Sequence, residues 1–178
     1  MTTTKLLVLG CIGRRNVAHG YEVYRDLLDW RADTWACVKP GSIYHAIAKL
    51  EKEEAIMSLS TEHGMRGGSR TKYRLTAKGK RLLMEGVKQA LASLEMDEFS
   101  AGLAFMDVID KKEAINISEK RLTNLRDIQT FMHSLPTDSA PSSPDKQTAL
   151  VGYWADFFDF NVKHAENFLK AQTNKKEE

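Results

Sequence analysis

The chain has 178 residues, 42% of them hydrophobic and 28% charged, with a net charge of +2. That balance is far from a disordered composition, and no apolar run approaches the roughly 18–20 residues of a membrane span. The charge is uneven: residues 1–80 hold 14 Lys+Arg against 8 Asp+Glu (+6), residues 81–178 hold 12 against 16 (−4), and the two return +2.

A basic first half is what counterion release on a nucleic acid requires, although scattered surface charge would give the same count. The two cysteines, Cys11 and Cys37, form no CxxC pair and have no histidine cluster nearby. The expectation is a reduced, cytoplasmic protein with no disulfide, no metal and no cofactor.

The first element is the apolar run "KLLVLGCIG", in which Leu6, Leu7, Leu9 and Ile12 fit one broad helical face. It lacks the charged flank and cleavage site of a secretory signal and reads as a buried helix. "NVAHG" reads as a turn. "YEVYRDLLDW" places Tyr21, Tyr24, Leu27 and Leu28 on one face of a second helix. "RADTWACVKPGS" reads as irregular, with Pro40-Gly41 as punctuation. His19-Gly20-Tyr21 reads as a turn into the second helix rather than a catalytic histidine beside a nucleophile.

"GSIYHAIAKLEKEEAI" is the most informative helix. Ile43, Ile47 and Leu50 form an apolar stripe, while Ser42, His45, Lys49 and Lys52 lie close to the opposite side. A merely solvated face would look similar. The period then changes. "AIMSLST" and "TKYRLT" alternate, and between them "EHGMRGGSR" holds three glycines in five residues. A P-loop needs GK[ST] leading into a helix, whereas here "GGSR" leads into an alternating strand. The glycines therefore belong to a hairpin tip. Thr76 is a good N-cap for a helix beginning at Ala77. Three helices followed by a hairpin form a winged helix-turn-helix, with the third helix reading DNA and the hairpin as wing.

From Ala77 onward the sequence reads as helical. Leu83, Val87, Leu91 and Leu94 make a stripe, and Ile115, Leu122, Leu125, Ile128 and Met132 mark a long amphipathic helix. Residues 136–145 hold three of the four prolines and read as a loop. The last helix carries Tyr153, Trp154, Phe157, Phe158, Phe160 and Phe168 on more than one face, and the tail "TNKKEE" reads as frayed. Two helices cannot bury that much apolar surface, so a second copy of the chain is the expected partner. The fold expected is mainly α with a small β-hairpin. Residues 1–80 form the DNA-binding domain and residues 81–178 a helical dimerisation part.

Taken together, "HGYEVYRDL", "GSIYHAIAKLEKEEAI" and "RTKYRLTAKGKRLL" resemble the PadR family of transcriptional regulators over roughly Leu6 to Leu94. The resemblance implies a homodimeric winged-helix repressor on an inverted-repeat operator, released by a small effector that is often aromatic or lipophilic. It places the recognition helix on Ser42 to Glu53, with Ser42 and Tyr44 toward DNA, and the wing on Glu62 to Lys72. One departure is visible: the family usually has glycine where this chain has Glu54. A non-glycine residue in a left-handed C-cap costs about 1 kcal/mol. Either the helix runs further here or the turn is built differently.

The expected DNA contacts are Lys39, Ser42, Tyr44, His45 and Lys49, with Arg66, Arg70, Lys72 and Arg74 on the wing. Lys49 fits either a guanine edge or a phosphate. Tyr44 could instead be a core aromatic, and each cation could simply be solvated. The expected dimer interface takes in Ile115, Leu122, Leu125, Trp154, Phe157 and Phe158. Trp30 and Trp35 fit packing better than an effector pocket. No GxSxG, HExxH or supported carboxylate pair is present, so catalysis is not expected. The competing reading is a winged-helix module for protein interaction and dimerisation whose DNA role has been lost.

Overall fold

The computed structural model describes residues 1–63, 69–135 and 146–174. Two compact units divide it, Met1–Asp110 and Lys111–Glu178. None of its described helices is long and apolar enough to cross a membrane.

The first unit is built around α1 (Thr3–Arg15). Thr2 caps it, its hydroxyl accepting from the Lys5 amide at 3.4 Å. Seven successive residues, Leu6 to Ile12, are buried. The helix is therefore apolar all round rather than on one face, as a central helix must be. It packs against α2 (Gly20–Asp29), α4 (Pro40–Lys52), α5 (Ala77–Ala92) and α6 (Met96–Ala104).

The helix-turn-helix spans α2 to α4, with one helical turn, α3 (Ala32–Trp35), between them. Pro40 opens α4 at its first turn, where a missing N–H costs nothing. Strands β2 (Ile56–His63) and β3 (Ser69–Leu75) form the hairpin, and β1 (Ala18–His19) adds on the other side of β3. All pairing is antiparallel, with Ala18 opposite Tyr73 and Ile56 opposite Leu75. A bulge between Ser58 and Ser60 breaks the β2 alternation. The sheet thus has three strands, and the segment "NVAHG" supplies the third rather than only a turn. Two residues are too few for a period-two signal. The single turn α3 also replaces part of the stretch read as irregular.

Thr76 caps α5 as expected, accepting from the Gly79 amide at 3.0 Å. The helical stretch after Ala77 breaks at residues 93–95, before α6 and a 3₁₀ turn at Met106–Val108. Leu94 falls in that break and is exposed.

The end of α4 answers the question raised by Glu54. The helix stops at Lys52, and Glu54 takes the left-handed conformation at φ 57°. Ala55 N–H donates to the Leu50 carbonyl and Glu54 N–H to that of Glu51, both at 2.9 Å. This is a Schellman-type stop made without its usual glycine. The turn is kept and the strain is borne. Glu54→Gly is therefore expected to stabilise the protein by about 1 kcal/mol. Urea melts at unchanged m-value would check it, and a loss of stability would show that the turn carries no strain.

The second unit is a pair of helices, α7 (Lys111–Ser134) and α8 (Lys146–Asn174). Leu122 and Leu125 pack with Val162 and Ala165, flanked by Phe158 and Leu169. Arg126 pairs with Glu166 at 2.6 Å, and Asp159 accepts from Gln129 and His133 at 2.7 and 2.8 Å. Those two donors hold the Asp159 carboxyl below the usual carboxylate range. Arg121 is buried beside Asn161, and desolvation lowers its guanidinium to about 10.

Leu122 and Leu125 thus pack within their own chain, whereas the sequence reading set both at a contact with a second copy. Helical periodicity gives a stripe, not its partner. Ile115, Phe157 and Phe158 are half-buried, and Trp154 is exposed. The expected loop at 136–145 and the tail from Lys175 lie outside the described residues.

Candidate nucleic-acid interface

Helix α4 sorts its side chains as the sequence implies. Ile43, Ala46, Ile47 and Leu50 are buried, while Tyr44, His45, Lys49 and Lys52 are exposed. Burial of the apolar set fixes the rotation of the helix, and so fixes which residues face outward. Among the described residues no hydrogen bond or ion pair engages the ammonium groups of Lys39, Lys49 or Lys52, although the Lys49 charge is close enough to help lower the Glu53 carboxyl. Other cations of this unit are committed. Arg15 grips Asp26 with two bonds of 2.6 Å, which raises its already high pKa. Lys5 donates to both oxygens of Glu53 at 2.7 Å, holding that carboxyl below its ordinary value and tying α4 to α1. Arg14 stacks over Trp30 and donates to the Ala104 carbonyl at 2.9 Å.

Lys39 is the N-cap of α4 and exposed. The Ser42 hydroxyl accepts from the Lys39 amide at 3.0 Å and donates to its carbonyl at 2.7 Å. Ser42 therefore holds the helix start in shape and has little left to offer a base edge. Tyr44 is 53% exposed. Its ring lies over Gly20, where an added Cβ would stand 2.7 Å from the ring. Only glycine lets α4 and α2 approach this closely there. The ring is half packed and its remainder is free, so Tyr44 is neither a core aromatic nor a fully solvated one.

The wing residues divide. Along β3, Thr71 and Tyr73 turn to one sheet face and Lys72 and Arg74 to the other. Thr71 and Tyr73 line a cleft with Tyr44. Arg74 is exposed next to Met57 Sδ, at 3.9 Å, across the opposite face. The structure thus groups Lys39, Tyr44, His45 and Lys49 and sets Lys72 and Arg74 apart from them. Arg70 stands opposite Glu62 in the register, and its side chain lies outside the described residues, as does Arg66 entirely.

The cleft beside Tyr44 is about 500 Å³ and is lined by His19, Gly20, Tyr21, Glu22, Arg25, Tyr44, Thr71 and Tyr73. His19 Nδ1–H donates to the Thr71 carbonyl at 3.2 Å, which fixes its tautomer. Burial, then the charge of Glu51, push the Tyr73 hydroxyl up, so it stays protonated. Sequence reasoning set Tyr21 on one face of α2 with Leu27, whereas Tyr21 is 60% exposed and Leu27 buried, and it passed over Arg25. The i, i+4 spacing of Tyr21 and Arg25 on α2 was the available signal. Among the described residues no group of His, Cys, Asp and Glu could hold a metal ion.

An amphipathic helix with a cationic, hydrogen-bonding outer face, braced by a helix-turn and a three-stranded wing, defines a winged helix-turn-helix protein. Residues 8–85 match the model of the Transcriptional regulator PadR-like family. Over that segment, which runs from within α1 to within α5, the chain is similar to the PadR-like family of transcriptional regulators.

No curated protein matches the chain. Among solved structures, the chain is similar to Bacillus subtilis PadR in complex with operator DNA, at 21% identity and a TM-score of 0.42, over 94% of this chain and 98% of that one. The same protein in complex with p-coumaric acid gives 19% and 0.39, over 96% of each chain. The protein smu.1604c from Streptococcus mutans UA159 gives 21% and 0.42, over 93% and 98%.

Proposed function

We propose that the chain is a sequence-specific, homodimeric repressor that binds an inverted-repeat operator through α4 and its wing. A small aromatic or lipophilic effector would release it. The observation that carries the DNA reading is the outer face of α4. Tyr44, His45 and Lys49 are exposed together, and no described hydrogen bond or ion pair ties down the Lys49 ammonium. Lys39 at the helix start adds an exposed cation, the kind of group that phosphates take, and Arg70 is the contact proposed for the wing. The dimer reading is supported by the apolar residues that α8 leaves exposed, and the effector by the family resemblance.

Gel shifts on the gene's own upstream region, with and without a panel of aromatic compounds, test operator and effector together. The Lys49→Ala, Arg70→Ala double variant should keep its fold and lose at least tenfold in affinity, since one good base contact is worth ~1–3 kcal/mol. Unaltered binding by that variant would remove both residues from the interface.

A further inference from the structure

On the Tyr21–Arg25–Tyr44 side of the cleft, the reading above uses Tyr44 and leaves Tyr21 and Arg25 unassigned. Tyr21 is 60% exposed and Tyr44 53%, so neither side chain is committed to the core. Arg25 is exposed, and among the described residues no ion pair engages it. The carboxylate that shares the cleft, Glu22, is occupied: it accepts from the His19 amide at 2.8 Å and faces Arg15 at 3.8 Å. Glu51 acts on Tyr73, so an anion is disfavoured near that residue and favoured beside Arg25. Gly20 brings α2 and α4 together here, so the phenol of Tyr44 stands beside the first turn of α2.

We infer that this side of the cleft is a DNA-backbone site, in which Arg25 and the hydroxyls of Tyr21 and Tyr44 hold a phosphate flanking the base pairs met by α4. The inference rests on the DNA-binding reading. In a helix-turn-helix the helix before the recognition helix crosses the sugar–phosphate backbone, and tyrosine and arginine are ordinary phosphate ligands. Such contacts set register and add affinity without reading sequence. A small ligand would need enclosure, whereas Tyr21 and Tyr44 keep more than half of their surfaces in solvent. Gly20 is the positioning residue: a side chain there would push Tyr44 off α2.

The test uses the full chain and a duplex that it selects from a random-sequence library. Arg25→Ala and Tyr21→Phe, each verified by circular dichroism melts, should weaken selected and scrambled duplexes by a common factor of roughly tenfold. For Arg25→Ala the slope of log K against log salt should flatten by about one. Replacing single phosphates by neutral methylphosphonates should reveal a position that matters to the unsubstituted chain and no longer matters to Arg25→Ala. Unchanged affinity and slope in Arg25→Ala, or a loss confined to one base-pair identity, overturns the site while the α4 reading stands. If the unsubstituted chain binds no duplex at all, the DNA-binding reading fails and this site fails with it.

Discussion

Phe105→Ala is expected to destabilise the first unit by about 3–5 kcal/mol, the range for a large aromatic removed from a packed core. Phe105 is only 1% exposed and is among the largest fully buried side chains. Its ring sits against Trp30 at 5.5 Å between centroids and beneath the Arg14 guanidinium at 5.3 Å. On the α1 side it meets Gly10, where any added Cβ would overlap the ring. The ring thus joins the end of α6 to α1 and to the end of α2. Truncation would empty that junction and strip Arg14 of one of its two aromatic neighbours, and the fixed helices around it have little freedom to collapse. At several degrees per kcal/mol for a unit of this size, the melting temperature should fall by more than about 10 °C. Gly10→Ala should err in the same direction by overpacking. A shift of only a degree or two in Phe105→Ala would mean that α6 is not part of the DNA-binding unit's core.

That contact was not legible in the sequence. Phe105 and Gly10 are far apart in the chain, and no local pattern announces that a glycine in one helix is shaped to receive a ring from another. What periodicity can carry, it carried: the buried stripe of α4, the change of period into β2 and β3, and the capping role of Thr76 all have local causes. The two-residue strand β1 was missed because a pairing that short exists only through its partner strand. Glu54 shows the converse. The sequence located the strained position, and only the backbone shows that the turn was kept rather than lengthened.

At the candidate interface, the exposed set on α4 was readable because burial of Ile43, Ile47 and Leu50 dictates it. The split between Lys72 and Arg74 on one sheet face and Tyr73 on the other was readable from alternation. The commitment of Ser42 to the Lys39 backbone, and the freedom of Arg25, were not, because they depend on distances.

Tyr153→Glu combined with Phe160→Glu should abolish self-association and, with it, tight operator binding. Helix α8 has two apolar faces. The inner one, through Val162 and Ala165, is satisfied by Leu122 and Leu125. The outer one is not: Leu150, Tyr153 and Phe160 are 58%, 63% and 67% exposed, and Trp154 stands beside them. The rings of Tyr153, Trp154, Phe157 and Phe158 form a chain of edge and tilted contacts that already lies in order along the helix. An exposed apolar face of this kind is what an interface needs, and in the proposed dimer a second copy would cover it.

Both substituted side chains point outward, so the variant should retain its helical content while two charges on each copy oppose docking. Sedimentation at micromolar concentration should show a dimer for the unsubstituted chain and a monomer for the variant. Two linked reading heads gain by effective concentration, so affinity for an inverted repeat should fall on the order of 10²–10⁴-fold. Affinity for an isolated half-site should stay within about twofold, because a lone reading head gains nothing from linkage. A variant that still sediments as a dimer would move the interface off α8. A monomeric variant that binds the inverted repeat undiminished would mean that each chain reads its half-site alone, and that dimerisation serves something other than operator recognition.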